Sequence, residues 1–210
     1  MTAAEAQIEA QHESKTRLLN AALHVIRAKG YSATRIEDIC EAAGLTKGSF
    51  FHHFKSKEDL ALAAAGYWSE ITSRLFASAP FHAPTDPLDR ILAYIDFRQA
   101  LIHGDLPDFT CLVGTMVQEV YDTHPALREA CNHSIASHAA TLVPDIEAAL
   151  AQRGIHPEWT ADSLALFTQG AIQGAFILAK AQHSREIAAA SINHLRRYIE
   201  LLFKQPRLSE

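Results

Sequence analysis

The residues best placed to do chemistry lie between Thr34 and Phe54, where a short polar and cationic segment follows a turn of small residues. The stretch reads TRIEDICEAAGLTKGSFFHHF. Gly44 permits a tight turn between two closely packed helices, and Thr46 can cap the second helix. Helix, tight turn and short helix in this order are typical of a helix-turn-helix, whose second helix enters the major groove of DNA.

Each outward position of the second helix offers a different contact to a duplex. Lys47 can reach a phosphate or a guanine edge, Gly48 lets the backbone lie close to the groove, and Phe51 offers an apolar face to a thymine methyl. Phe50 and Phe54 are expected to pack inward. Any one such residue is usually only solvated, so the order and spacing of the set carry the prediction. The predicted DNA contacts are Thr34, Arg35, Thr46, Lys47, Gly48, Ser49, Phe51, His52, His53 and Lys57.

The charge distribution supports a nucleic-acid partner, although the whole chain has a formal net charge of -5. Residues 14–57 carry eight Lys or Arg side chains and three acidic ones, whereas residues 1–13 and 58–210 are both net acidic. A locally basic segment on an acidic body can meet a phosphate backbone with one face only. A chance run of solvated charges is the alternative explanation.

Helices are expected to position these residues, because strong helix formers dominate and alternating β-branched runs are absent. We predict an all-α protein with a flexible arm over 1–13. Thr34 should cap the second helix in a capping box with Glu37, and Pro144 should kink or split its helix. The predicted helices are 14–29, 34–44, 46–53, 56–78, 88–103, 109–123, 125–153, 160–181 and 185–203, with a proline-rich loop over 80–87.

Residues 30–60, GYSATRIEDICEAAGLTKGSFFHHFKSKEDL, closely resemble the DNA-binding signature of the tetracycline-repressor (TetR) family. One departure is Phe51, where many members have Tyr, so a hydroxyl contact to phosphate would be missing. The resemblance implies a three-helix DNA-binding domain over 1–57. It also implies a larger helical domain over 58–210, which binds a small molecule and forms a homodimer through its last two helices.

A ligand pocket is expected among the middle helices, where apolar side chains mix with a few polar anchors. For any single position, a place in the hydrophobic core is the alternative. The candidate ligand-binding residues are Tyr94, Phe97, Arg98, Phe109, Cys111, Thr115, Met116, Gln118, Glu119, Phe167, Gln169, Gln173 and Phe176.

Small residues three and four apart in 160–181 predict close helix packing, which we assign to a symmetric dimer interface with 185–203. Tight packing within one subunit is the alternative. A two-fold dimer would place two recognition helices about 34 Å apart on a palindromic operator. The predicted interface residues are Gly170, Gly174, Ala175, Leu195, Tyr198 and Leu202.

The three cysteines are an odd number without metal-ligand spacing, and no metal or cofactor is expected. Cys111 opens a predicted helix, where the helix dipole favours thiolate. Some members of the resembled family sense electrophiles or oxidants through such a cysteine, so Cys111 is either a sensor or a small apolar residue. Cys40 is expected in the core.

The sequence shows no signal peptide and no apolar stretch of membrane-spanning length, which together predict a cytoplasmic protein. We expect a ligand-responsive regulator, most simply a repressor that an unknown effector releases from double-stranded DNA. Twelve histidines leave an all-helical enzyme as an alternative, but HExxH, GxSxG and phosphate-loop motifs are absent. A helical adaptor that binds protein through the same motif is a third possibility.

Overall fold

The computed structural model describes the backbone of residues 3–204 and the side chains of residues 11–204. Every regular element in this part of the chain is a helix, as predicted. The α-helices are α1 Ala3–Lys29, α2 Ile36–Ala43, α3 Lys47–His53, α4 Lys57–Ala77, α5 Pro87–Ala100, α6 Leu106–Phe109, α7 Leu112–Val120, α8 Pro125–Ala140, α9 Val143–Arg153, α10 Ala161–Gln182 and α11 Arg185–Phe203. A single 3-10 turn covers Pro80–His82.

The helix boundaries differ from the sequence prediction mainly at two places. Helix α1 begins at Ala3, so it takes in most of the segment predicted as a flexible arm; residues 1 and 2 lie outside the described part. Pro144 is the second residue of α9, and the predicted helix 125–153 is divided into α8 and α9. The missing proline N–H would be unpaired in the first helical turn anyway, which explains why the break falls there.

Two compact units make up the fold, and they do not follow the predicted boundary at residue 57. The first unit runs to Thr72 and also includes Thr110–Ser134. The second unit contains Ser73–Phe109 and the chain from Ile135 onward. Helices α4 and α8 each contribute residues to both units.

The core of the first unit forms around α1, which packs against α2, α3 and α7. Leu18, Ala22 and Ile26 are fully buried at intervals of four, which places them on one face of the helix. Helix α7 adds Leu112 and Met116, also fully buried. The predicted DNA-binding helices therefore share their core with a segment that comes about sixty residues later in the chain.

Helix α2 begins differently from the sequence prediction, because Asp38 rather than Glu37 caps it. The Arg35 N–H donates to Asp38 Oδ2 at 2.7 Å, and Lys29 Nζ lies 2.5 Å from the same oxygen. Thr34 is buried and donates its hydroxyl to the Gly30 carbonyl at 2.6 Å, so it does not cap α2. Hydrogen bonds from Arg35 and Lys29 hold the pKa of Asp38 well below its ordinary range.

The turn between α1 and α2 is held by two charged side chains from later in the sequence. Glu119 accepts hydrogen bonds from the N–H groups of Tyr31 at 3.0 Å and Ser32 at 2.7 Å. Lys57 Nζ donates to the carbonyls of Tyr31 and Thr34, both at 3.0 Å, and lies 4.4 Å from the Tyr31 ring centroid. The turn starts at Gly30, whose φ of 87° is in the left-handed region.

The second unit packs α5 against α9 and α11, and α10 against α9 and α11. Two ion pairs support this arrangement, Arg90 with Asp145 at 2.6 Å and Arg153 with Asp86 at 2.9 Å. Helix α10 is long and apolar enough to cross a membrane by length and composition, contrary to the sequence expectation. A core helix that is partly buried meets the same criterion. Helix α10 has this character, because its Gln169 is buried and donates a hydrogen bond to the Tyr94 hydroxyl.

We expect Gly30→Ala to destabilise the protein, because an added Cβ would overlap a Glu119 carboxylate oxygen at a left-handed backbone position. The left-handed conformation alone costs a non-glycine residue about 1–2 kcal/mol. Gly66→Ala is the matched control, since nothing lies within 4 Å of an added Cβ in the middle of α4. That change should raise stability by about 0.5–1 kcal/mol. Denaturant unfolding of both variants measures the difference, and equal shifts would contradict the account.

Asp38→Asn should lower the melting temperature at neutral pH, because it removes the charge that pairs with Lys29 and Arg35. The folded-state pKa of Asp38 is depressed, so its contribution is present above the unfolded-state pKa and is lost as the pH falls through the folded value. The gap between wild type and variant should therefore narrow as the pH is lowered through the acid range below about 4. Thermal unfolding across this range checks the sign, and a gap that widens toward acid would be inconsistent with it.

Candidate functional site

Helix α3 has a buried side and an exposed side, which is what a recognition helix requires. The Thr46 hydroxyl accepts a hydrogen bond from the Ser49 N–H at 3.2 Å, so Thr46 caps the helix as predicted. Phe50 and Phe54 are buried, which confirms their predicted inward packing. The exposed residues of this segment are Thr46, Lys47, Gly48, Phe51 and His52, with Ser49 and His53 half-buried.

The turn between α2 and α3 is fixed by Arg17 of α1, a residue that sequence reasoning missed. Its guanidinium donates to the Ala43 carbonyl at 2.6 and 3.1 Å and to the Gly44 carbonyl at 3.2 Å. These carbonyls belong to the end of α2, where helix carbonyls lack intrahelical partners. Gly44 has a φ of 62°, as the predicted tight turn requires. Arg17 therefore sets the angle at which α3 leaves α2.

Lys47, the predicted phosphate or guanine contact, forms an exposed ion pair with Glu37 of α2. The hydrogen bond from Lys47 lowers the pKa of Glu37. His53 shares a hydrogen bond with Ser14 Oγ at 2.7 Å, and burial, with the neighbouring His52, lowers the pKa of His53. The cation at the beginning of α3 is thus paired within the protein, and both side chains of the pair are exposed.

Three other predicted DNA contacts have partners inside the first unit. Thr34 is buried, and the Lys57 ammonium group is engaged with backbone carbonyls of the α1–α2 turn. Arg35 is exposed and donates to Asp38 Oδ1 at 3.1 Å. These contacts position the helix-turn-helix, and whether the same side chains also touch DNA stays a prediction.

Gly48 is a glycine that the fold itself does not need. An added Cβ would meet only Thr46 Oγ1, at an ordinary van der Waals distance of 3.6 Å. Its backbone is helical, so φ does not demand glycine either. The absence of a side chain here therefore matters only for something that approaches α3 from outside.

In the second unit, aromatic rings surround one arginine in a group that we call the aromatic–arginine cluster. Arg98 of α5 lies over two rings, 5.3 Å from the Phe76 centroid and 5.9 Å from that of Phe176. Phe76 also stacks edge-on against His138 at 4.4 Å and Phe97 at 5.5 Å. The cluster comprises Phe76, Phe81, Tyr94, Phe97, Arg98, His138, Gln169 and Phe176.

A hydrogen-bonded chain crosses this cluster and ends on His138, which sequence reasoning did not identify. Gln169 Nε2 donates to the Tyr94 hydroxyl at 2.7 Å, and that hydroxyl lies 2.9 Å from His138 Nε2. An Arg98 N–H faces the same Nε2 at 3.4 Å. Burial, followed by the charge of Arg98, lowers the pKa of His138 to about 4.

Of the remaining candidate ligand residues, Phe109 adjoins this cluster through Phe176, while most of the others lie elsewhere. Phe109 packs on Phe176, with ring centroids 5.9 Å apart, while Gln173 is half-buried on α10. Phe167 is exposed and packs against Tyr198 at 5.1 Å. The other five belong to the first unit: Cys111, Thr115, Met116, Gln118 and Glu119.

Those five residues have structural partners around α7. Met116 is core, Glu119 holds the α1–α2 turn, and Gln118 Nε2 donates to the Gly114 carbonyl at 2.7 Å. Thr115 donates its hydroxyl to the Cys111 carbonyl at 2.9 Å. From the sequence alone, side chains that make these contacts within the unit look the same as side chains that line a pocket.

Cys111 caps α7, and its half-buried Sγ accepts from the Gly114 N–H at 3.4 Å. The other two cysteines are buried, Cys40 as predicted. Burial raises the pKa of both, that of Cys131 to about 12 with a contribution from Cys111. A sensor role for Cys111 stays a prediction. Among the described residues, no group of three His, Cys, Asp or Glu side chains could hold a metal ion.

An apolar face runs along α10 and α11, and we call it the α10–α11 face. It consists of Leu166, Phe167, Gly170, Gly174, Ile177, Leu178, Tyr198 and Leu201. Nothing lies within 4 Å of a Cβ added at either glycine, so the backbone there is open. Two residues predicted for the dimer interface, Ala175 and Leu195, are instead buried within the unit, and Leu202 is half-buried.

Two family descriptions match the chain and together span most of its length. Residues 18–64 match "Bacterial regulatory proteins, tetR family". Residues 87–195 match "Tetracyclin repressor-like, C-terminal domain". The first match contains the whole helix-turn-helix, and the second contains most of the aromatic–arginine cluster and α10.

Individual proteins give the same result. The chain is 31% identical over 159 residues to the HTH-type transcriptional regulator CymR of Pseudomonas putida, covering 75% of both chains. It is 26% identical to the HTH-type transcriptional repressor NemR of Escherichia coli, over 65% of this chain and 69% of NemR. A TetR transcriptional regulator from Chloroflexus aurantiacus superposes with a TM-score of 0.76 at 31% identity, over 91% of this chain and 96% of that one. The chain therefore belongs to the TetR family of DNA-binding, ligand-responsive transcriptional regulators.

Proposed function

We propose that the protein is a homodimeric repressor that occupies a palindromic operator and leaves it when a small molecule binds in the second unit. The observation that carries this proposal is the exposed, glycine-containing recognition helix α3, held outward by Arg17 and Thr46. As a regulator of chromosomal DNA rather than an enzyme, it would act in the cytoplasm.

Helix α3 supplies contacts of different kinds to a duplex. Lys47 would exchange its exposed partner Glu37 for a phosphate or a guanine edge, an exchange that requires little desolvation because both side chains are exposed. Gly48 would let the helix backbone lie close to the groove. Phe51, 55% exposed and supported edge-on by Phe50, would meet an apolar base edge.

The α10–α11 face supports dimerisation. Large apolar side chains exposed together on a soluble protein mark an interaction surface, and the ring contact between Phe167 and Tyr198 joins the two helices into one patch. Gly170 and Gly174 lie among these side chains and would allow a second helix to approach closely. A two-fold pairing through this face would present two copies of α3 to the two half-sites of an operator.

The aromatic–arginine cluster is the proposed effector site, because it combines apolar side chains with a few polar groups. Helix α4 links it to the DNA-binding unit along one continuous backbone: Lys57 holds the α1–α2 turn at its beginning, and Phe76 belongs to the cluster near its end. An effector that favours a different placement of α4 would change DNA affinity by the difference between its affinities for the two states.

We expect Lys47→Ala to weaken binding to the DNA upstream of the protein's own gene by about tenfold, since one contact of this kind contributes about 1–3 kcal/mol. Gly48→Ala should also weaken binding while leaving the melting temperature unchanged or slightly higher, because the fold has room for the methyl group. Fluorescence anisotropy at several salt concentrations measures both effects. Lys204→Ala, which removes an exposed positive charge outside the helix-turn-helix, is the control.

Affinities of the Lys47 and Gly48 variants equal to that of wild type would rule out α3 as the recognition helix. Failure of the wild type to bind any fragment of this region at low salt, where phosphate contacts are strongest, would count against the regulator itself.

Leu201→Glu should convert the dimer into a monomer, because it places a charge within the proposed apolar interface, where an unpaired charge is strongly disfavoured. The side chain is 66% exposed in the protomer, so the substitution leaves the protomer core intact. Leu75→Glu is a matched control, since Leu75 is also an exposed leucine, at 43%, but lies outside the α10–α11 face. Sedimentation equilibrium distinguishes the outcomes. A Leu201→Glu protein that remains dimeric would exclude this face as the interface.

A further inference from the structure

We propose that His53 takes up a proton when α3 docks on DNA, because a backbone phosphate then lies beside a group of basic side chains from α1 and α3. Affinity for the operator should therefore rise as the pH falls through the neutral range. This inference rests on the proposed function, since it concerns the DNA-binding step of the same recognition helix.

Three basic side chains meet where the end of α3 lies near α1, and we call them the basic cluster: Lys15, His52 and His53. The imidazole rings of His52 and His53 contact edge-on, with centroids 4.9 Å apart. Lys15 Nζ lies 5.9 Å from the ring centroid of the next residue, Phe54. Lys15 and His52 are exposed, and His53 is half-buried. The cluster is therefore open to solvent at the end of the proposed recognition helix.

The basic cluster has no acidic partner in the part of the chain that the structure describes. No carboxylate oxygen there lies within 4.0 Å of a nitrogen of its three side chains. At the beginning of the same helix, by contrast, Lys47 pairs with Glu37. Basic side chains that lie together without an acid are suited to an anion from outside the protein, and the anion that a recognition helix meets is a DNA phosphate.

The hydrogen bonds of Ser14 determine which nitrogen of His53 gains the proton. The Ser14 hydroxyl donates to the Gln11 carbonyl at 3.0 Å, so its oxygen accepts from His53 Nε2 at 2.7 Å. Nδ1 has no hydrogen-bond partner among the described residues and is the nitrogen that protonation fills. Because the bond from Nε2–H to Ser14 exists in both protonation states, the ring can become charged without turning.

Burial and neighbouring charge oppose protonation of His53 while DNA is absent. Burial, followed by the charges of His52 and Lys15, lowers the pKa of His53. Helix α3 packs against α1 and α2, and no carboxylate from either helix or from α4 offsets these effects.

A nearby phosphate would favour the imidazolium form and raise the pKa of His53 in the complex. The complex then binds more protons than the free protein. DNA affinity therefore increases as the pH falls from the pKa of His53 in the complex to its lower pKa in the free protein, and it levels off below that value.

Fluorescence anisotropy at constant ionic strength measures binding of the full-length protein to the DNA upstream of its own gene. Wild type should bind at least about tenfold more tightly at pH 6 than at pH 8, since each proton taken up contributes up to about tenfold per pH unit. His53→Gln keeps a side-chain N–H for Ser14 but cannot titrate, so its ratio of affinities should be at least about tenfold smaller. His24→Gln removes an exposed histidine of α1 outside the basic cluster and should keep the wild-type ratio.

Isothermal titration calorimetry at pH 7, in two buffers of different ionisation enthalpy, counts the protons taken up on binding. His53→Gln should take up about one proton fewer per protomer than wild type. The inference is overturned if wild type takes up no proton, or if His53→Gln takes up as many as wild type. If His53→Gln does not fold, as circular dichroism would reveal, the neutral variant His53→Asn takes its place.

The pH series also separates this inference from the proposed function. Equal wild-type affinities at pH 6 and pH 8 contradict only the proton uptake, and the proposed regulator stands. A wild type that binds none of this DNA at low salt at either pH contradicts the proposed function together with the inference.

Discussion

The turn between α1 and α2 depends on two opposite charges that reach it from other parts of the chain. Glu119 accepts from its N–H groups, and Lys57 donates to its carbonyls. Backbone N–H and carbonyl groups in a turn have no partners within a helix and need other ones. Hydrogen bonds to a charged side chain meet this need and are stronger than those between neutral groups. The position of α2, and through it that of α3, is therefore set by side chains of α4 and α7.

The DNA-binding helices therefore depend on two helices that follow them in the chain, α4 and α7. Helix α7 contributes both the buried Met116 and the carboxylate of Glu119, four and seven residues into an element that begins just after Cys111. Helix α4 carries Lys57 and then continues into the second unit. A shift of either helix would displace the hydrogen bonds that hold the turn, and the turn determines where α2 begins.

Sequence reasoning identified the helix-turn-helix because its signals are local. Small turn residues, the Thr46 cap and the inward spacing of Phe50 and Phe54 all lie within one short window. Even within this window the cap of α2 was assigned to Thr34, because the competing bond from Thr34 to the Gly30 carbonyl is not encoded in the capping pattern. Helix α1 extends beyond its predicted start because Ala and Glu favour helix even where no apolar period is visible.

The contacts that sequence reasoning missed join residues far apart in the chain. Arg17 reaches the end of α2, Glu119 reaches the α1–α2 turn, and His138 meets Tyr94 and Arg98. Each contact is made by a single side chain, so the spacing of apolar residues along the sequence does not predict it. The predicted pocket residues include α7 residues of the first unit together with residues of the second unit, for the same reason. The sequence of an apolar helix with a few polar residues is the same whether the helix lines a cavity or supports a neighbouring turn.

Because the first unit is built from two separate segments of the chain, it limits how parts of two such regulators can be joined into one chimeric protein. A chimera joined after residue 57 would carry the three N-terminal helices without the segment 110–134 that completes their core and supplies Glu119. The protein that supplies the rest of the chimera would have to provide an equivalent carboxylate and equivalent apolar side chains in its own segment corresponding to 110–134. Exchange of the remaining chain is thus constrained by a distant segment that belongs to the first unit, although the sequence order alone does not reveal it.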